Sequence, residues 1–133
     1  MARPLPFLTP VNRFYWEAGQ DGVLKIQQCQ ECSLWINPPQ PICRNCLSEN
    51  VATQTVSGKG TIFSVTVNHQ AWQPGLEVPY VIARVKLDEV DDTVLLTTNI
   101  VGEGCLEAKI GDPVRVLFEH QDDVWFPLFE LAK

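Results

Sequence analysis

The chain has 133 residues, 45% hydrophobic and 20% charged, with a net charge of −6. That is enough apolar material for an ordinary globular core, and no stretch approaches the roughly 18 apolar residues of a membrane span. Residues 1–57 hold four basic and four acidic side chains, whereas residues 58–133 hold six and twelve. A nucleic-acid binder needs a basic stripe, and neither half has one. The opening Met1-Ala2-Arg3-Pro4-Leu5-Pro6 lacks the apolar core of a secretory signal. A soluble, cytoplasmic protein with reduced thiols is therefore expected.

Residues 1–8 are proline-rich and read as an extended arm. Thr9-Pro10 then reads as a helix start, with Thr9 at the N-cap and Pro10 at the first helical position. Val11, Phe14, Tyr15 and Ala18 follow at helical spacing, and Gly19 stands where a terminating glycine belongs. The spacing predicts a helix of about ten residues, too short to persist without packing. Its consecutive Phe14, Tyr15 and Trp16 step by about 100° each and cannot all face one core. Part of the helix is therefore a candidate for docking on a partner, with its own domain as the alternative.

Residues 23–28 read as a strand leading into Cys29-Gln30-Glu31-Cys32. Leu34, Trp35 and Ile36 return as a second strand. A proline-rich connector over 37–41 delivers Cys43-Arg44-Asn45-Cys46. The pattern is C-x2-C-x10-C-x2-C. Two thiolates two residues apart reach one ion from a single turn, and a second such turn completes a tetrahedron of sulfurs. Cys29, Cys32, Cys43 and Cys46 are thus the candidate metal ligands, with a structural Zn2+ as the expected cofactor. Disulfides would need an oxidising compartment. A redox C-x-x-C normally stands alone. Iron in the same four-sulfur cage is the remaining alternative.

From residue 51 the texture becomes β-rich. Val51 to Val56 leads to Gly58-Lys59-Gly60, which suggests a bulge or barrel corner. Thr61 to Asn68 alternates, placing Phe63, Val65 and Val67 on one face. A loop with Trp72, Pro74, Gly75 and Pro79 follows. Tyr80 to Leu87 turns Val81, Ala83, Val85 and Leu87 inward. Further strands are expected over 93–101, 113–119 and 125–131, with a loop or short helical turn over 102–111. Five short strands with regular turn signals predict a small closed barrel of the OB-fold type. The expected fold is mainly β: an N-terminal helix and zinc ribbon over 1–50, then a five-stranded OB-fold barrel over 51–133.

Several of these segments occur together in one known family. They are the aromatic helix with Phe14 and Trp16, Gly22-x-Leu24 before Cys29-x-x-Cys32, and Pro38-Pro39 before Cys43-x-x-Cys46. Gly58-x-Gly60 before Ser64, Pro79-Tyr80 and Gly111-Asp112-Pro113-Val114 complete the set. The chain resembles the DUF35 family over about residues 12–131. That resemblance implies a rubredoxin-like zinc ribbon joined to an OB-fold. It also implies an accessory role beside thiolase-fold enzymes that handle acyl-CoA thioesters, among them thiolases, acyltransferases and steroid side-chain aldolases. In such assemblies the thiolase-like partner carries the catalysis, and the DUF35 subunit supports it and helps shape the acyl-CoA site. The chain departs from the family pattern at Ser33, where many members carry glycine after the second cysteine.

No catalytic residues of the chain's own are identified. Acyl transfer of the thiolase type needs a nucleophilic cysteine, a base and oxyanion donors. Zinc claims four cysteines, and Cys105 has no visible activating neighbour. His69 and His120 stand at strand ends, and Asp122-Asp123 reads as a solvated turn. Gly58-Lys59-Gly60 lacks the rest of a phosphate-binding loop. The expected function is a non-catalytic, zinc-binding OB-fold subunit of an aldolase, thiolase or acyltransferase complex. A two-plus-two heterotetramer is the simplest symmetric form. Phe14, Tyr15, Trp16, Trp35 and Trp72 are the candidate interface residues, with an acyl-CoA contact expected there and no membrane or nucleic-acid partner. The main rival is a single-stranded nucleic-acid-binding OB-fold. A free-standing acyl-CoA-binding protein is the third reading.

Overall fold

The computed structural model describes residues 3–132. The expected arm runs from Arg3; Met1 and Ala2 lie outside the described residues, as does Lys133. The N-cap of α1 is Asn12 rather than Thr9, and Pro10 lies in the turn before the helix, which Thr9 closes. Thr9 Oγ1 accepts the Asn12 N–H at 3.2 Å, while Asn12 Oδ1 accepts the Thr9 N–H at 2.8 Å. This reciprocal pair satisfies the two backbone donors of the turn that leads into the helix. The helix itself is shorter than its spacing suggests. Helix α1 covers only Arg13–Glu17, and a 3₁₀ turn over Ala18–Asp21 finishes it. The terminating glycine is Gly22, at φ 72°, rather than Gly19. Gly19 is needed for another reason. A Cβ there would come within 2.5 Å of Trp125 Cβ and 2.6 Å of Phe118 Cδ1.

Three strands form the ribbon sheet: β1 (Leu24–Cys29), β2 (Trp35–Ile36) and β3 (Val51–Val56), in the order β2-β1-β3. Strand β3 follows the 50/51 boundary expected from sequence, yet it pairs along its whole length with β1. Five strands then form a closed barrel: β4 (Lys59–Asn68), β5 (Tyr80–Leu87), β6 (Leu96–Val101), β7 (Pro113–Gln121) and β8 (Val124–Leu131). Their order is β4-β5-β6-β8-β7, with β7 returning to β4. The one parallel contact joins β6 and β8. This closure leaves no open edge in the barrel.

Two strand expectations are corrected. The register of β4 against β5 shifts between Ile62 and Ser64, so Phe63 is the extra residue of a bulge. Phe63 is 49% exposed, Ile62 is buried in its place, and Val65 and Val67 pack inward without it. A bulge inserts one residue and flips the alternation beyond it. Strand β6 begins at Leu96, not near 93, because Asp91 organises a turn. Its Oδ1 accepts the backbone N–H and the hydroxyl of Thr93. Those bonds hold the Asp91 carboxyl below the usual carboxylate range.

The ribbon and the barrel share a core. Leu24, Ile26 and Val56 of the ribbon sheet lie in one buried cluster with Val85, Leu87 and Phe129 of the barrel. A second cluster, Val124, Phe126 and Leu128, is covered by Leu8 of the arm and Trp16 of α1. Arg3 ties the arm down. It donates from Nε to Glu119 Oε1 at 2.9 Å and from Nη1 to Asn99 Oδ1 at 2.6 Å, and its guanidinium lies 5.8 Å from the centre of the Phe126 ring.

Candidate metal centre

Each cysteine pair sits on a tight knuckle, and the two knuckles follow one plan. The Cys29 N–H donates to the Leu34 carbonyl and the Cys43 N–H to the Ser48 carbonyl, both at 2.9 Å. The Ser33 N–H returns to the Cys29 carbonyl at 3.0 Å, and the Leu47 N–H to the Cys43 carbonyl at 2.9 Å. To close this way the residue after each second cysteine must turn left-handed. Ser33 has φ 66° and Leu47 has φ 65°. Ser33 thus adopts the conformation that glycine takes more freely.

The four sulfur atoms lie within 4.8 Å of one another. Cys29 and Cys46 are 3.5 Å apart, and Cys32 and Cys43 are 3.6 Å apart. Four thiolates at the usual Zn–S length of about 2.3 Å would stand about 3.8 Å apart, so the set fits a tetrahedral soft ion. Cys29 and Cys43 are buried with Ile36, while Cys32 and Cys46 face outward. Asn45 supplies outer-shell bonds that the cysteine spacing did not reveal. Its side-chain amide donates to Cys32 Sγ at 3.6 Å and its backbone N–H to Cys43 Sγ at 3.4 Å.

The Asn45 amide, with the Leu34 N–H, pulls the Cys32 thiol down to about 6. The Cys46 thiol is pushed up to about 12. The Ser48 N–H lowers it, but proton sharing with Cys29, together with desolvation, outweighs that bond. Sulfurs this close compete for protons unless a cation replaces them.

The aromatic candidates separate into two groups. Tyr15 and Trp35 pack against the core shared by ribbon and barrel. Burial drives the Tyr15 phenol above its ordinary range. Trp35, on the two-residue β2, is half-buried against that same core. Trp16 meets Phe126 edge-on at 5.8 Å and Tyr15 at 5.0 Å. Successive residues of α1 thus serve two clusters of the chain's own core. Phe14 is half-buried, and Trp72 is 76% exposed, with its Nε1 donating to Asn68 Oδ1 at 3.3 Å.

No acid–base pair assembles around the remaining reactive groups among the described residues. Cys105 opens a 3₁₀ turn and packs against the core. His120 stacks on Trp125 at 4.2 Å, with Nε2 2.8 Å from the Asp122 carbonyl. Asp122 has φ 52° in the two-residue turn between β7 and β8, and His69 lies exposed just past β4.

A family model described as "ChsH2, rubredoxin-like zinc ribbon domain" matches residues 16–52, and one described as "ChsH2, C-terminal OB-fold domain" matches residues 53–119. The chain belongs to the ChsH2 family. A solved structure titled "Ltp2-ChsH2(DUF35) aldolase" contains a chain 33% identical to this one. The match covers 97% of this chain and 100% of that one, with a TM-score of 0.84. A DUF35 protein from Sulfolobus solfataricus shares the fold at 14% identity, with a TM-score of 0.66 over 92% of this chain and 86% of that one.

Two curated relatives are longer than this ChsH2-family chain. One is a probable enoyl-CoA hydratase alpha subunit of Thermomonospora curvata, 35% identical over 98% of this chain. The other is the 3-oxo-4,17-pregnadiene-20-carboxyl-CoA hydratase alpha subunit of Mycobacterium tuberculosis, 34% identical over 79% of this chain. The matched regions make up 40% and 32% of their respective lengths. No helix of the described residues is long and apolar enough to cross a membrane.

Proposed function

We propose that this chain is a non-catalytic subunit that binds and supports a thiolase-fold enzyme acting on acyl-CoA thioesters, with aldolase as the favoured chemistry. The observation that carries this reading is the match to a chain of an Ltp2-ChsH2 aldolase, which spans essentially all of both chains. Cys29, Cys32, Cys43 and Cys46 hold a structural zinc ion that fixes the ribbon against the barrel. Four thiolates close its coordination sphere, so the ion holds structure rather than offering a site to substrate. The acyl-CoA site belongs to the partner, with this chain shaping its rim. Trp72 and Phe14 are the aromatic residues best placed to meet the partner, since Tyr15, Trp16 and Trp35 pack on the chain's own core. The ribbon half of this one subunit extends past the 50/51 boundary expected from sequence to include β3, and the barrel half begins with β4 at Lys59.

The test is co-expression with thiolase-fold acyl-CoA enzymes of the same organism, followed by size exclusion with mass determination. A stable two-plus-two complex is expected, with zinc at one per copy of this chain. Trp72→Ala weakens the complex and leaves zinc content unchanged. A chain that stays unbound beside every such enzyme overturns the reading. The nucleic-acid alternative requires salt-sensitive binding of single-stranded oligonucleotides, and the −6 carried by residues 58–133 opposes it.

A further inference from the structure

The barrel closes on itself, but the ribbon sheet does not. Strand β3 is its outer strand, paired with β1 on one side only. The direction of its free hydrogen-bonding groups follows from the register. The Gln30 N–H donates to the Asn50 carbonyl, and Gln28, Ile26 and Leu24 face Ala52, Gln54 and Val56 at two-residue steps. In an antiparallel ladder, bonded pairs alternate with non-bonded ones. The backbone groups of Ala52, Gln54 and Val56 therefore point to β1. Those of Thr53 and Thr55 point the other way, together with the Val51 carbonyl. The Val51 N–H is partly satisfied by the Glu49 carbonyl at 2.9 Å. Thr53 and Thr55 are exposed, and no described strand lies beyond them.

Open edges are usually blunted by lysine, proline, a bulge or a covering loop. This edge carries none of them. Its sequence, Val51-Ala52-Thr53-Gln54-Thr55-Val56, has no charge, no proline and no glycine, and its register with β1 is unbroken. The absence of charge favours one occupant. In a two-fold antiparallel pairing only the residue on the axis meets its own counterpart, so a charged residue at the centre would meet itself. Centred on Thr53, the pairing sets Thr53 opposite Thr53, Thr55 opposite Val51 and Ala52 opposite Gln54. The outward groups of Thr53 and Thr55 then gain backbone partners. Charge opposes association less here than at the barrel, because the zinc-loaded ribbon carries about −2, from four thiolates around Zn2+, against −6 on residues 58–133.

We propose that β3 is a self-association edge, through which two copies join their ribbon sheets into one continuous six-stranded sheet across a two-fold axis at Thr53. The contact is small and belongs to the weak, concentration-dependent class. It goes beyond the proposed function and does not depend on it, since it needs only this chain.

Sedimentation of the full zinc-loaded chain over a wide concentration range tests it. A monomer–dimer equilibrium is expected. Thr53→Lys and Thr53→Glu each place like charges face to face and raise the dissociation constant at least tenfold. An equimolar mixture of the two variants restores association, because Lys then faces Glu. Unchanged zinc content and far-UV spectrum in both variants show that the sheet is intact. A chain monomeric at every concentration, a dimer indifferent to both substitutions, or variants that fail to re-associate when mixed would each overturn the proposal. None of these outcomes bears on binding to a thiolase-fold enzyme.

Discussion

Leu47 holds a left-handed backbone while its side chain is 74% exposed. The side chain gains little from burial there, and left-handed backbone costs an L-residue about 1–2 kcal/mol. The position serves the knuckle, where the Leu47 N–H closes on the Cys43 carbonyl. Leu47→Gly is therefore expected to stabilise the zinc-loaded protein by about 1 kcal/mol, read as a higher urea midpoint at unchanged slope. A lower midpoint would mean that the leucine side chain carries packing. The cysteines divide in the same residue-level way. Cys29→Ser removes a buried ligand candidate and is expected to abolish stoichiometric zinc. Cys105→Ser, in its 3₁₀ turn beside the barrel core, leaves one zinc per chain by elemental analysis.

At the scale of elements, legibility in the sequence depended on whether one face was buried without interruption. Strand β5 alternates cleanly, and Val81, Ala83, Val85 and Leu87 are all buried. The paired cysteines were equally plain, because metal geometry constrains spacing directly. The Phe63 bulge was hidden, since an inserted residue looks like ordinary alternation until the partner strand is known. The facing of Trp35 was equally illegible, because a two-residue strand has no period of its own. Gly19 looked like a helix terminator because it follows an amphipathic stripe, yet its role is to let α1 approach β7 and β8. Gly19→Ala is expected to cost about 1–3 kcal/mol by overpacking Phe118 and Trp125. Gly22→Ala, with open space around its Cβ but φ 72°, is expected to cost about 1–2 kcal/mol through the backbone alone. Near-ultraviolet spectra separate the two, because only the first displaces Trp125.

For the whole molecule, the shared core decides how the parts fail. Strand β1 carries Cys29 at one end and, at the other, Leu24 and Ile26 inside the barrel cluster. Metal binding is coupled to folding wherever the site is not preformed, so loosening the ribbon withdraws apolar surface from the barrel as well. Chelation of zinc is expected to lower the melting temperature of the barrel itself, with far-UV signal and tryptophan emission moving in one transition. Barrel amides that keep their full hydrogen-exchange protection after chelation would show instead that the two parts stand separately. This coupling was not visible along the chain, because it joins residues 24–26 to residues 81–87 and 129, far apart in sequence.

The same shared core bears on how such a chain can be inherited. The two family models meet between residues 52 and 53, inside β3. A recombination event with its breakpoint there would splice a strand together from two ancestors. It would also set Leu24 and Ile26 from one lineage against Val85, Leu87 and Phe129 from another. Substitutions on the two sides of that seam are expected to be accepted in compensating pairs, so that ribbon and barrel descend together as one heritable unit.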